Sequence, residues 1–301
     1  MGSLVVLGVF VADTSFRASR MPKMGETLLG DSFVLGPGGK GSNQAVAAGK
    51  LGADVSIISC IGDDDFGKMA LQTWRDANVK PVIIQNKDAY TGAAFIFVDA
   101  RSGDNAIIVC PGIAAEITPI IIAENHALIA SADVFMTQLE QPIDTAYAGL
   151  KLAKEHGKIT ILNPAPAAEL PEGIFTLCDY LTPNETETEA ITGLPVHTEK
   201  DAEIAAEALA KKGVKTPIIT MGKQGAYLYG HGMVPAINAG PVVETTGAGD
   251  AFNGALATAL AEGKLPLEAV RFGCATAALS VTRPGTAPAM PSREEVERLL
   301  G

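Results

Sequence analysis

Leu4-Val5-Val6-Leu7-Gly8 is an unbroken apolar run, and Val9-Phe10-Val11-Ala12-Asp13 carries it on to an acid. A short apolar run without polar alternation reads as a strand buried on both faces, as in a parallel sheet covered by helices. Asp13 then falls just past the strand's C-terminal edge, where open α/β sheets hold ligands. A plain turn aspartate is the competing reading. The pattern recurs along the chain. Residues 55–61 form another buried strand. Residues 133–136 run into Gln138-Leu139-Glu140, and 158–162 into Asn163-Pro164-Ala165-Pro166. Residues 180–182 run into Pro183-Asn184-Glu185-Thr186-Glu187, and 218–220 into Met221-Gly222-Lys223-Gln224-Gly225. Every strand delivers polar residues at the same end. The expectation is an α/β fold in three layers, with a mostly parallel central sheet and one active edge shared by Asp13, Glu140, Asn184, Thr220 and Asp250.

A chain of 301 residues with 47% apolar and 5% aromatic residues has the size and composition for such a core. The net charge of −11 argues against nucleic acid and anionic membranes as partners. Cys60, Cys110, Cys178 and Cys274 have no paired spacing and read as reduced, mostly buried thiols of a cytoplasmic protein. His126, His156, His197 and His231 show no metal-ligand spacing. No apolar run has the length of a membrane helix, and the N-terminus carries no basic leader pattern.

Two glycine turns each open a helix. The second, Glu244-Thr245-Thr246-Gly247-Ala248-Gly249-Asp250-Ala251-Phe252-Asn253-Gly254, follows a β-like run at 240–243. Bare N–H groups at a helix N-terminus suit an anion, and Asp250 in the first turn suits a base accepting a hydroxyl proton. A carboxylate that only caps the helix is the alternative. The first turn, Gly36-Pro37-Gly38-Gly39-Lys40-Gly41-Ser42-Asn43-Gln44, is no Walker A loop, because Gly41 stands where Ser or Thr belongs. It is no dinucleotide fingerprint either, since Gly8 lacks partner glycines. Its glycines read as room for a polar ligand beside the backbone, against a tight connection as the plainer account.

Strand-like stretches near 25–36, 82–86, 92–98 and 106–110, with turns at 87–88 and 101–104, do not fit a doubly wound sheet. They read as a separate small sheet, a lid from about 12–36 and 88–110 in one domain over 1–301. Asp63-Asp64-Asp65 reads as the cap of a helix at 66–77, with a metal site as the alternative. Asn184 and Glu187 have capping-box spacing, or hold water around a magnesium–nucleotide. Further helices are expected at 119–130, 143–156, 267–282 and 292–300.

Taken together and in order, Gly38-Gly39-Lys40-Gly41-Ser42-Asn43-Gln44-Ala45, Gln138-Leu139-Glu140, Asn163-Pro164-Ala165-Pro166 and Thr182 to Glu187 resemble the PfkB family of carbohydrate kinases over nearly the whole chain, its ribokinase-like branch above all. The resemblance implies an ATP-dependent kinase acting on the hydroxymethyl group of a pentose, D-ribose first, with a 2-deoxyribose or nucleoside acceptor as the alternative. Asp250 would be the base and Gly247, Ala248 and Gly249 the anion hole. Asp13, Gly39, Lys40, Gly41 and Asn43 with Glu140 would meet the sugar. Asn184, Thr220, Gly222, Gly225 and Gly249 would meet the nucleotide, with Cys274 near the adenine. Glu187 would support magnesium through water. Glu244, Thr246, Ser280, Arg283, Gly285 and Ala289 would hold potassium. A homodimer through the lid is implied as well. Three positions depart from the pattern: Val11 replaces an asparagine and so opens the question of a deoxy sugar, Glu244 replaces an aspartate, and Cys274 replaces a histidine or asparagine.

Overall fold

A computed structural model of the protein describes residues 2–102 and 104–301. Gly103, inside one of the expected turns, lies outside them. In chain order the elements are β1 (Ser3–Leu7), β2 (Val11–Ala18), β3 (Ser32–Gly38), α1 (Lys40–Lys50), β4 (Asp54–Gly62), α2 (Asp65–Asp76), β5 (Lys80–Asn86), β6 (Thr91–Asp99) and β7 (Asn105–Gly112). Then come α3 (Pro119–Glu124), α4 (His126–Ser131), β8 (Val134–Thr137), α5 (Ile143–Glu155), β9 (Ile159–Leu162), β10 (Tyr180–Leu181), α6 (Glu185–Thr192), α7 (Glu199–Lys211) and β11 (Thr216–Thr220). The chain closes with β12 (Gly225–Leu228), β13 (Gly232–Pro235), α8 (Ala248–Ala261), α9 (Pro266–Ser280) and α10 (Arg293–Leu300).

The central sheet has nine strands in the order β13-β12-β11-β10-β9-β8-β1-β4-β5. It is parallel except at β12 and β13. The unbroken apolar runs of its strands serve two cores by strict alternation. Leu4 and Val6 of β1, Val55 and Ile57 of β4, Val134 and Met136 of β8 pack with α1, α2, α8 and α9 on one face. Val5, Leu7, Ile58 and Phe135 pack against the helices from α3 to α7 on the other. That is the three-layer arrangement expected from the sequence. The chain runs from β1 to β4 and β5 in one direction, then from β8 to β13 in the other, so the order reverses between β1 and β8. A crevice at the strands' C-terminal ends opens at such a reversal.

A second sheet of four strands, β3-β2-β6-β7, stands apart. Several expectations change here. Residues 82–86 belong to β5, the edge of the central sheet paired parallel to β4, and not to a hairpin of the small sheet. Asp13 lies within β2 of the small sheet, inside the 12–36 stretch expected for the lid and paired between β3 and β6, so the competing reading of a plain turn aspartate falls. Residues 240–243 form no strand: Val242 and Val243 are exposed, the Gly240 N–H donates to Asn238 Oδ1 at 3.0 Å, and the Val243 and Glu244 N–H groups donate to the Val281 carbonyl at 2.8 and 3.2 Å. The helix expected at 119–130 divides at Asn125, whose side chain donates to the Ile121 carbonyl at 2.8 Å. Cys110 is exposed on β7, while Cys60, Cys178 and Cys274 are buried and all four are free thiols. The Asp63-Asp64-Asp65 run behaves as a cap: Asp64 accepts from the Gly67 N–H at 2.7 Å.

Candidate active site

Asp250 is in the first turn of α8, buried, with both carboxylate oxygens held. Its Oδ2 accepts from Asn43 Nδ2 and its Oδ1 from Gln44 Nε2, each at 3.0 Å. Both amides come from the first turns of α1. The two helices meet because Gly254 has no side chain: a Cβ there would come within 2.5 Å of the Gln44 carbonyl oxygen and 2.7 Å of Ala47 Cβ. Close packing of small residues thus brings two glycine-initiated helices side by side, a contact that no local pattern announces.

The turn ahead of α8 has Gly247 in the left-handed region, φ 81°, which suits glycine. The Ala248 N–H turns back to the Thr245 carbonyl at 3.2 Å. Among the described residues the Gly249 and Asp250 N–H groups have no such partner. A Cβ on Gly249 would meet nothing within 4 Å, so this glycine leaves open space beside the helix N-terminus rather than room for a neighbouring element. The first glycine turn is different. A Cβ on Gly38 would collide with the Asp13 carboxylate, on Gly39 with the Val9 carbonyl at 2.5 Å, and on Gly41 with Gly8 Cα at 2.5 Å and Gln138 Oε1 at 2.6 Å. Here the tight connection accounts for the glycines: they let β2, β1 and the segment after β8 press against the start of α1.

That compression gathers the charges. The Lys40 N–H donates to Glu140 Oε2 at 2.7 Å. Burial pushes the Glu140 carboxyl up to about 7, against the nearby Lys40 charge and with the charges of Asp250 and Asp13 adding to the rise. Burial, then the charges of Asp250 and Glu244, push Asp13 up to about 6. Asp250 is raised by burial, with Lys40 and then the Asn43 and Gln44 amides opposing it. Glu187 is raised by burial too, and feels both Lys40 and Asp250. Glu140, Glu187 and Asp250 therefore all feel the charge of Lys40, and Asp13 feels that of Asp250.

Asn184 and Thr220 form a parallel bridge at the ends of β10 and β11. Asn184 and Glu187 make a full capping box, Oδ1 accepting from Glu187 N at 2.8 Å and Glu187 Oε2 from Asn184 N at 2.9 Å. One Glu187 oxygen is thus committed to the helix. Gly222, φ 49°, and Gly225, φ 110°, shape the turn after β11, and the Met221 N–H donates to the Gly225 carbonyl at 2.8 Å. Cys274 is buried in α9 within the core shared with α8, and burial pushes its thiol up to about 12. Glu244 Oε2 accepts from the Gly285 N–H at 2.8 Å, which fastens the 244–246 segment to the loop holding Arg283, Gly285 and Ala289. Arg283 pairs with Glu295, and Ser280 caps its own helix through the Ala277 carbonyl. The side chains that sequence reasoning left without a role are Gln44, Gln138 and Asn163, each buried and bonded around Asp250. Their signal was uncharged amides inside otherwise apolar or glycine-rich stretches.

A profile described as the pfkB family of carbohydrate kinases matches residues 1–293. The chain belongs to this family. It is 40% identical over 301 residues to a ribokinase of Haemophilus influenzae, covering 99% of this chain and 98% of that protein. It is 35% identical over 302 residues to a deoxyribokinase of Salmonella typhi, covering 99% and 98%. A solved structure of Arabidopsis thaliana ribokinase complexed with ribose and ATP matches with a TM-score of 0.95 at 32% identity, over 100% of this chain and 99% of that one. The fold described above is that of a sugar kinase.

Proposed function

We propose that this chain transfers the γ-phosphoryl group of ATP to the hydroxymethyl oxygen of a pentose, D-ribose giving ribose 5-phosphate. The observation that carries this reading is Asp250, buried and held on both oxygens beside the partner-free N–H groups of α8. Phosphoryl transfer leaves the protein little covalent work: it positions, removes one proton and stabilises charge. Asp250 takes the hydroxyl proton as the oxygen–phosphorus bond forms and the bond to ADP breaks. The Gly247–Gly249 turn and the α8 N-terminus stabilise the phosphoryl oxygens. Asp13, Gly39, Lys40, Gly41, Asn43 and Glu140 form the sugar side. Asn184, Thr220, Gly222 and Gly225 form the nucleotide side, with Cys274 behind it.

Magnesium bound with the nucleotide would neutralise phosphate charge, with the remaining Glu187 oxygen holding its water shell. Potassium suits the oxygen-only set of the Glu244 carboxylate and the carbonyls of Thr246, Ser280, Arg283, Gly285 and Ala289, since Glu244 already ties the two segments together. It would supply positive charge beside the anion hole. The small sheet serves as a lid that excludes water and as the seam of a homodimer. Four free thiols suit the cytoplasm.

A second acceptor, 2-deoxyribose, is favoured by Val11, which is 4% exposed and offers a sugar hydroxyl no hydrogen bond. The relative named deoxyribokinase is consistent with it. Turnover of the purified protein on ribose, 2-deoxyribose and nucleosides, with and without potassium, ranks the acceptors. Asp250→Asn is expected to lose on the order of a hundredfold or more in kcat while keeping its affinity for ATP. Unchanged turnover would reject Asp250 as the base.

A further inference from the structure

Asn43 and Gln44 are consecutive in α1, and between them they hold both oxygens of Asp250. Gln44 differs from its neighbour in having no freedom of its own. It is fully buried. Its Nε2 donates to Asp250 Oδ1 and also to Asn163 Oδ1 at 3.1 Å, and its Oε1 accepts from Gln138 Nε2 at 2.6 Å. Both donors and the acceptor are used, so the amide has one orientation. Gln138 is braced in turn: Gln141 Nε2 donates to the Gln138 carbonyl at 2.6 Å and to Thr137 Oγ1 at 2.7 Å.

The path through Asn163 returns to the anion-binding turn. Asn163 Nδ2 donates to the Thr182 carbonyl at 3.0 Å. Thr182 Oγ1 donates to Asn253 Oδ1 at 2.6 Å, and Asn253 Nδ2 to the Gly249 carbonyl at 2.8 Å. That carbonyl belongs to the peptide joining Gly249 to Asp250. A closed circuit therefore runs from the carboxylate, through α1 and the ends of β9 and β10, to the peptide just before it.

The geometry points to Gln44 as a positioning residue of phosphoryl transfer: through its single permitted orientation it fixes the rotation of the Asp250 carboxylate relative to the α8 N-terminus. This rests on Asp250 as the base. Glutamine alone among side chains of this length brings two donors and an acceptor. An ionised glutamate would face the Asp250 and Asn163 oxygens with an oxygen of its own. Methionine would fill the volume and hold nothing. The Gln44 bond also favours the charged form of Asp250 against the burial that disfavours it. Losing it leaves more of the enzyme protonated and idle at a given pH.

Steady-state kinetics of Gln44→Met across pH test the assignment. The expected result is a loss of kcat on the order of tenfold to a hundredfold, the scale of a lost charged hydrogen bond. KM for ATP and sugar should stay within about threefold, because the contact is not with substrate. The acid limb of the kcat profile should move to higher pH. Gln44→Glu should lose more and move the limb further. A folded Gln44→Met with kcat within about twofold of the parent, or with a loss of kcat but an unmoved acid limb, overturns the proposal. Should that variant fail to fold, Gln138→Met leaves Gln44 present but unbraced: a smaller fall in kcat with the limb moved upward supports the circuit, and an unchanged profile overturns it. An inactive Asp250→Asn beside a normal Gln44→Met removes only the positioning role. An active Asp250→Asn removes the base itself.

Discussion

At the residue scale, the site holds more acid than it can ionise comfortably. Asp13 is pushed up to about 6 and Glu140 up to about 7, burial being the first cause in each. A raised acid pKa means that the fold disfavours the charged form. Both states are mostly protonated only below the unfolded values, 3.8 for Asp13 and 4.5 for Glu140, so little cost arises at about pH 3. As pH rises through the unfolded value and on through 6 and 7, the folded chain must hold charge that the unfolded chain holds freely, and stability falls. Asp13 accepts no hydrogen bond among the described residues, so Asp13→Asn removes charge without breaking a bond. Its ligand-free form should melt higher than the parent at pH 8, about 2 °C for each kcal/mol gained, with no gain near pH 3. Its kinase activity should fall. Thermal unfolding at both pH values checks this, and an equal gain at both would contradict the electrostatic cause. Val11 occupies the same face of β2 as Asp13, two residues away. Val11→Asn should raise kcat/KM for ribose over 2-deoxyribose by roughly fivefold or more, the scale of one buried hydrogen bond. A constant ratio would free position 11 from any part in specificity.

At the scale of elements, the deciding contact is α1 against α8. Each helix begins at a glycine in the left-handed region, Gly39 at φ 87° and Gly247 at φ 81°. Both turns are plain in the sequence, but their meeting is not. It depends on Gly254, where an added methyl would press on the Gln44 carbonyl and Ala47. Gly254→Ala should cost about 1–3 kcal/mol by overpacking, and should lower kcat even where the protein remains folded, because α1 takes Asn43 and Gln44 away from Asp250. A variant that is less stable but fully active would separate the packing from the chemistry. The misread elements have one cause. Val82, Ile83 and Ile84, like Val242 and Val243, are apolar and β-branched, and local pattern cannot say which sheet such a run joins, or whether it finds a partner at all.

At the scale of the molecule, the small sheet leaves apolar side chains uncovered. Phe33, Val34 and Leu35 of β3 and Ile107, Ile108 and Val109 of β7 are all exposed, and Phe16 stacks at 4.9 Å from Phe33 and 5.6 Å from Phe95. Both edge strands of this sheet thus carry apolar residues on successive positions, so each of its faces has apolar surface to cover. Pairing with a second copy is the reading proposed above. Light scattering of Phe33→Lys/Ile108→Lys should give the monomer mass where the parent gives twice that mass. A parent that is already monomeric would end the proposal.

Read alone, the sequence determined the three-layer class and singled out Asp13, Glu140, Glu187 and Asp250, acids whose charges the fold brings within reach of one another. Those follow from strand periodicity and from the polar residues that end each strand, which are local properties. The helix caps at Asp64 and at Asn184 with Glu187 were legible for the same reason. Only the tertiary structure decided that the glycines of the first turn serve packing, and that Gln44, Gln138 and Asn163 gather around Asp250. Gln44 and Asp250 are bonded across 206 residues of chain. No pattern of neighbours encodes such a bond, because it exists only once two helices from opposite ends of the chain are packed to within a methyl group of each other.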